Sequence, residues 1–281
     1  MTAKQDLKSE QSELWNGRVG AFWVEAQETF DAMLRPFAER IVNDVSALRP
    51  KDVLDVGCGS GATTLALKRA LGDGTRCTGI DLSGPLVQNA TARASASGLE
   101  AAFIRADASE HDFGARRFDV LTSRFGVMFF ADPVAAFANL RRAAADRAEA
   151  VFIVWRSPDE NPFMSAPPRA AAPFLPDIPQ RRPTDPGPFA FADPDHVRSV
   201  LSAGGWAEID LQPIDVACGF PSAALEDFIA RPSPVLPDLD ALDPEVRAEI
   251  LSAVRAAYAP FVDGADVRFI GRCWIVRARA G

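Results

Sequence analysis

The chain has 281 residues, 48% hydrophobic and 24% charged, with a formal net charge of −8 and four scattered cysteines. That length buries one large core, or one core with a smaller cap. The acidic balance, with Arg dispersed among acids, argues against a phosphate-reading face and so against tRNA, rRNA or DNA as partner.

No run of about 18 apolar residues predicts a membrane span. Residues 1–13 are polar and lack the apolar segment of a signal peptide. No CxxC pair suggests a zinc site or a disulfide framework. The expectation is a cytoplasmic protein with reduced, mostly buried thiols, no metal and no integral membrane contact.

In chain order, residues 10–48 read as two helices. Leu14, Trp15, Val19, Phe22, Trp23 and Ala26 fall mostly at helical spacing, and Phe30, Met33, Leu34, Phe37, Ile41, Val42 and Val45 do so more clearly. This segment, 1–49, is assigned to a cap, and Pro50 ends it. Strand and helix then alternate: strand 51–56, a glycine turn, helix 62–71, strand 75–80, helix 85–97 with Ser83 as N-cap and Gly98 closing it, and strand 101–105. Strand 118–123, a helix opened by Asp132-Pro133 and running to about 145, and strand 149–155 complete a core over 50–156. Such alternation predicts a parallel sheet covered on both faces.

Residues 157–194 and 219–245 are rich in proline, which predicts loops or a cap. The first of these is assigned as a Pro-rich cap. Residues 195–281 are read as the end of the core sheet: helix 194–203 with Asp193 as N-cap, strand 208–217, a helical insertion within 219–266 (helices 224–230 and 244–257), and strand 269–278.

The run Val53-Leu54-Asp55-Val56-Gly57-Cys58-Gly59-Ser60-Gly61 ends a strand and enters a helix. Its glycines let a nucleotide-like ligand approach the backbone. The same residues fit the dinucleotide fingerprint, with Ala62 in its last small position. Asp55 discriminates. Beside a pyrophosphate its carboxylate repels; beside an ammonium and a sulfonium it attracts. Its competing role is to cap the turn backbone. Asp81 follows the second strand, about 20 residues after the turn, where an acid accepts ribose hydroxyls. Its competing role is a helix cap, for which Ser83 is better placed. Asp107, in Arg105-Ala106-Asp107-Ala108, can accept an adenine amino group while the Ala108 N–H meets a ring nitrogen; loop aspartates also serve turns. Three acids at three successive strand ends say more than any one.

These residues resemble the class I S-adenosylmethionine (SAM) dependent methyltransferases, within them the bacterial small-molecule group related to the ubiquinone and menaquinone methyltransferases. Four stretches carry the resemblance: 53–64, Gly79-Ile80-Asp81-Leu82-Ser83, Ala106-Asp107-Ala108, and 118–133, reading FDVLTSRFGVMFFADP. It covers residues 15–217 and the C-terminal strand. It implies a Rossmann-like α/β fold: a seven-stranded sheet of order 3-2-1-4-5-7-6, its last strand antiparallel, with helices on both faces and a Pro-rich helical cap. It implies SAM as cofactor, contacted by Asp55, Gly57, Cys58, Gly59, Asp81, Leu82, Asp107, Ala108 and Ser123. There is one departure: Asp146-Arg147-Ala148 stands where the family usually has Pro-Gly-Gly.

By the same resemblance Ser123, Arg124 and Phe125 line the active-site floor. Arg124 can orient an anionic or carbonyl group of the acceptor, or simply pair with an acid. Trp15, Trp23, Phe129, Phe130 and the aromatic loop from Trp155 to Phe163 can form an apolar pocket for a planar acceptor, and their faces can stabilise a sulfonium. Core packing is the competing role of each ring. His111 and His196 read as surface or packing residues, and Tyr258 as part of the cap. No catalytic residue is assigned, because methyl transfer can proceed by alignment in a dry pocket. The expected partner is a small-molecule methyl acceptor, and a homodimer is compatible with this reading. An NAD(P)-dependent oxidoreductase and a non-catalytic protein of the same fold remain the alternatives.

Overall fold

The computed structural model describes residues 3–114, 117–176, 182–230 and 238–281. The parts of the two proline-rich stretches at 177–181 and 231–237 lie outside the described residues.

Three helices, rather than the two expected, open the chain: α1 (Ala3–Asn16), α2 (Arg18–Glu25) and α3 (Gln27–Leu48). Gly17 interrupts the helical run with ψ at −146°, and Ala26 closes α2 while opening α3. α1 starts well before the first periodic apolar residue, which is why the apolar pattern alone did not reveal its length.

The core follows as β1 (Asp52–Val56), α4 (Ala62–Leu71), β2 (Arg76–Asp81), α5 (Gly84–Ala96), β3 (Ala101–Arg105), β4 (Phe118–Arg124), α6 (Pro133–Ala143) and β5 (Ala144–Trp155). Then come α7 (Pro162–Ala171), α8 (Pro194–Ala203), β6 (Trp206–Pro221), α9 (Leu225–Ala230), α10 (Pro244–Tyr258), β7 (Val262–Asp263) and β8 (Asp266–Ala280). The expected caps are in place. The Ser83 hydroxyl accepts the Leu86 N–H, and Asp132 and Asp193 accept the N–H groups of Ala135 and Asp195.

The sheet order is β3-β2-β1-β4-β5-β8-β6. β1 to β5 are parallel, and β8 runs antiparallel between β5 and β6. This is the anticipated Rossmann-like arrangement. Among the described residues the count is eight rather than seven, because the two-residue β7 turns back onto the start of β8. β6 and β8 also pair much further than expected, from Trp206↔Ala280 to Pro221↔Asp266. The helical insertion between them therefore spans 222–265 rather than 219–266. β5 starts at Ala144 rather than 149, since its first residue pairs with Phe118 across a register shift. In this irregular turn Arg147 takes φ +60°, the left-handed conformation.

Both faces of the sheet are covered. On β5, Phe152 meets Phe137 of α6, while Trp155 meets Phe37 of α3. Three residues apart on a strand, these side chains point to opposite faces. The central parallel strands thus run buried on both sides, β1 along its whole length, while β3 at the sheet edge is only partly covered. Their carboxyl ends converge on one edge, and α1 to α3 close over that edge.

Candidate functional site

A cavity of about 1070 Å³ opens at this edge. Ligands of open α/β sheets bind in such crevices outside the carboxyl ends of the strands. Gly57, Gly59, Asp81, Leu82, Asp107 and Ala108 line it from the ends of the first three strands and the loops that follow them. Trp15, Trp23, Arg124, Phe125, Phe129, Trp155 and Phe163 line it as well. Three expected contacts do not: Asp55, Cys58 and Ser123.

The reasons are physical. Asp55 is 1% exposed and lies beneath the turn, where its carboxylate accepts the Thr64 hydroxyl at 2.6 Å. Burial pushes its pKa up to about 6, opposed by the Thr64 hydrogen bond and the Arg124 charge and reinforced by Asp81. The Cys58 side chain points back onto β2, so a Cβ on Gly79 would stand 2.7 Å from its Sγ. Ser123 is fully buried. Its hydroxyl donates to the Val56 carbonyl at 2.7 Å and accepts the N–H groups of Gly126 and Val127 at 3.1 and 3.3 Å. It ties the end of β4 to the end of β1.

Two glycines in the turn do different jobs. At Gly57, with φ +68°, a Cβ would stand 2.6 Å from the Gly126 Cα, so the backbone of the loop after β4 needs that space. At Gly59, with φ +53°, a Cβ would meet no atom within 4 Å. The open space above Gly59 belongs to the cavity that it lines.

The Asp81 carboxylate accepts the Gly59 and Ser83 N–H groups, both at 2.8 Å. Burial pushes its pKa up, while these bonds and one from Leu82 pull it down. Each carboxylate oxygen keeps a second lone pair for a ligand hydroxyl. Asp107 accepts the Ser109 N–H at 2.8 Å and pairs with Lys8 of α1 at 3.4 Å.

Arg124 is half-buried, and its Nη1–H donates to the Leu34 carbonyl at 3.3 Å. Burial lowers its pKa, against the raising effect of Asp31 and Asp55; a guanidinium remains charged regardless. Next to it Phe125 takes φ +67° and stacks on Trp155, centroids 4.3 Å apart and planes 3° from parallel. Both rings meet Phe37 edge-on. Beyond them Phe163 stacks on Phe269 at 3.9 Å and lies 5.0 Å from the Tyr258 ring. Tyr258, expected only as a cap residue, lines the cavity, and burial raises its pKa so that it stays neutral. His111 and His196 do not line the cavity. They pack edge-on against Phe113 and Phe191.

The sequence reading missed the first half of α1, residues 3–9. Gln5, Lys8 and Gln11 line the cavity, and α1 is fastened to the loop after β2. There the Ser83 hydroxyl donates to the Trp15 carbonyl at 2.6 Å, and Asn16 bonds both Leu82 and Gly84. Lys8 and Gln11 share a helix face with Trp15 at three-and-four spacing, but as polar side chains they read as solvated.

These features fit SAM. The backbone is open above Gly59, the acids at the ends of β2 and β3 face the cavity, and a third acid lies beneath the turn. The volume lies at the top of the range of roughly 300–1,000 Å³ usual for small-molecule pockets.

Residues 53–146 match the methyltransferase domain family. Similar curated proteins include nocamycin O-methyltransferase of Saccharothrix syringae, 35% identical over 109 residues, which cover 38% of this chain and 39% of that protein. Demethylmenaquinone methyltransferase of Thermus thermophilus is 33% identical over 135 residues, covering 48% and 60%. The matched region thus spans less than two thirds of either relative. Among solved structures, magnesium protoporphyrin IX methyltransferase of Synechocystis PCC 6803, with SAH (the demethylated cofactor) bound, superposes with a TM-score of 0.58. It covers 97% of this chain and 99% of that chain at 13% identity, a likeness of fold alone. Residues 53–146 of the chain thus match a methyltransferase domain, set within a Rossmann-like fold.

Proposed function

We propose that this chain, built around a methyltransferase domain, is a SAM-dependent enzyme that methylates a small, largely apolar organic acceptor at O, N or C. One observation carries the reading: a single cavity runs from the acids after β2 and β3 to a wall of aromatic rings. The relatives named for nocamycin and demethylmenaquinone support a small-molecule acceptor, and the net charge of −8 disfavours a nucleic acid.

When bound, SAM supplies an electrophilic methyl group on a sulfonium. In this reading Asp81 receives the ribose hydroxyls, Asp107 and the Ala108 N–H receive the adenine, and Gly57 and Gly59 let the ligand lie against the backbone. Asp55 acts from beneath the turn through its charge. Trp15, Trp23, Phe129 and the stacked Phe125–Trp155 pair exclude water and orient a planar acceptor, and Arg124 holds its polar edge. No residue is needed as a dedicated base, because alignment in a dry pocket supplies much of the acceleration.

Calorimetry on the purified chain tests the donor, with micromolar or tighter binding of SAM and SAH expected. Transfer of a radiolabelled methyl group from SAM to compounds of a small-molecule extract tests the activity. A clean calorimetric null with SAM overturns the proposal. Binding without transfer to any compound favours a non-catalytic role.

A further inference from the structure

We propose that Gln11 of α1 is a cofactor-binding residue whose side-chain amide hydrogen-bonds the adenosine half of the methyl donor, between Asp81 and Asp107. This rests on the reading that SAM fills the cavity.

Gln11 is 5% exposed, lines the cavity, and has its Oε1 buried with no hydrogen-bond partner. A buried amide oxygen left in that state is costly, so its presence calls for a donor that arrives with a ligand. The position of Gln11 says which part of the ligand. α1 is anchored at two places. Near its start Lys8 pairs with Asp107 at 3.4 Å and with Glu110 at 2.5 Å, both in the loop after β3. At its end the Trp15 carbonyl accepts the Ser83 hydroxyl, and the Asn16 amide donates to the Leu82 carbonyl, both in the loop that follows Asp81. At a rise of 1.5 Å per residue, Gln11 stands about 4.5 Å along the axis from Lys8 and about 6 Å from Trp15. The three share one helix face. Gln11 therefore overhangs the interval between the Asp81 and Asp107 carboxylates.

Its chemistry suits that interval. Asp81 and Asp107, when ionised, only accept hydrogen bonds, whereas a glutamine amide both donates and accepts. Adenine presents the complementary pair, a ring nitrogen beside an amino group, which glutamine engages through both ends of its amide.

The test is calorimetry of the full chain with SAH and, separately, with adenosine, for the wild type and Gln11→Leu, together with ligand-free melting. Gln11→Leu is expected to weaken both ligands by the same factor, at least about tenfold for the loss of two hydrogen bonds. The ligand-free melting temperature should stay level or rise, since a buried unpartnered oxygen is removed. Wild-type affinity in Gln11→Leu overturns the proposal and leaves the SAM reading standing. Weakened SAH with unchanged adenosine moves Gln11 to the methionine half and overturns the assignment. A wild type that binds neither ligand overturns the SAM reading and this proposal with it. If Gln11→Leu does not fold, Gln11→Met carries the same expectations.

Discussion

The Asp81 carboxylate accepts the Gly59 N–H at 2.8 Å, so a side chain at the end of β2 holds the glycine turn that follows β1. The other carboxylate oxygen takes the Ser83 N–H at the same distance. Asp81→Asn keeps one acceptor but turns an NH2 group toward one of these two donors. An orphaned buried N–H costs roughly 1–3 kcal/mol, partly offset by removing a buried charge. The expected outcome is a net destabilisation of about 1 kcal/mol in urea unfolding and at least a tenfold weaker binding of SAM by calorimetry. Unchanged SAM affinity would remove Asp81 from the ligand site.

The two turn glycines separate packing from binding. In Gly57→Ala the new methyl would stand 2.6 Å from the Gly126 Cα, in a left-handed conformation as well. Neither backbone can yield cheaply, and a loss of about 3 kcal/mol or more is expected. Gly59→Ala meets nothing within 4 Å, so only the left-handed cost of about 1–2 kcal/mol applies. Its methyl enters the cavity instead, and SAH affinity should fall at least about tenfold in a chain that still melts cooperatively. Equal behaviour of the two variants in both assays would contradict this division.

Much of this was legible in the sequence, for reasons that the residues make plain. Period and punctuation placed β1 to β5 and their helices within a few residues, because Ser83, Asp132 and Asp193 are caps whose chemistry is local. The long β6–β8 pair was cut short because Gly219 and Pro221 read as breakers, yet both lie within the pairing. In the site, a residue type at a strand end indicated proximity to the cavity but not the direction of the side chain. Asp55 and Ser123 sit near their strand ends and Cys58 in the glycine turn, and all three point elsewhere. Gln11 could not be found by pattern, since a polar residue on a polar helix reads as solvated until the fold lays that helix over the strand ends.

Asp55 makes stability and binding depend on pH in opposite senses. Its pKa rises from 3.8 to about 6 on folding. Between these values the folded chain holds a proton that the unfolded chain has released, so this group favours folding at low pH. That contribution is lost as pH rises through about 6. At 1.36 kcal/mol per unit it amounts to at most roughly 3 kcal/mol. Asp55→Asn retains an acceptor for Thr64 and removes the titration. Relative to wild type, the variant should therefore gain stability between pH 4 and pH 7.5, measured by denaturant unfolding at each pH. Binding runs the other way, since a cationic ligand prefers the ionised carboxylate. SAM affinity should weaken below about pH 6 in the wild type and show a flatter profile in Asp55→Asn. Parallel profiles for the two proteins would exclude Asp55 as the source.

Arg147 offers a change remote from all of this chemistry. It holds φ +60° in the turn inside β5, where the resembling family usually has the second residue of Pro-Gly-Gly. A residue with a Cβ is disfavoured there by about 1–2 kcal/mol, while glycine gives back roughly 0.5–1 kcal/mol through its freer unfolded state. The Arg147 side chain is exposed, so its removal empties no core. Arg147→Gly should therefore gain about 0.5–1 kcal/mol and raise the melting temperature by about 1–3 °C. Arg147→Ala separates the causes, because it removes the same charge and length but keeps the Cβ, and it should show no gain. If alanine stabilises as much as glycine, the backbone conformation is not the origin. SAH affinity should be the same in both variants as in the wild type, since the turn does not line the cavity.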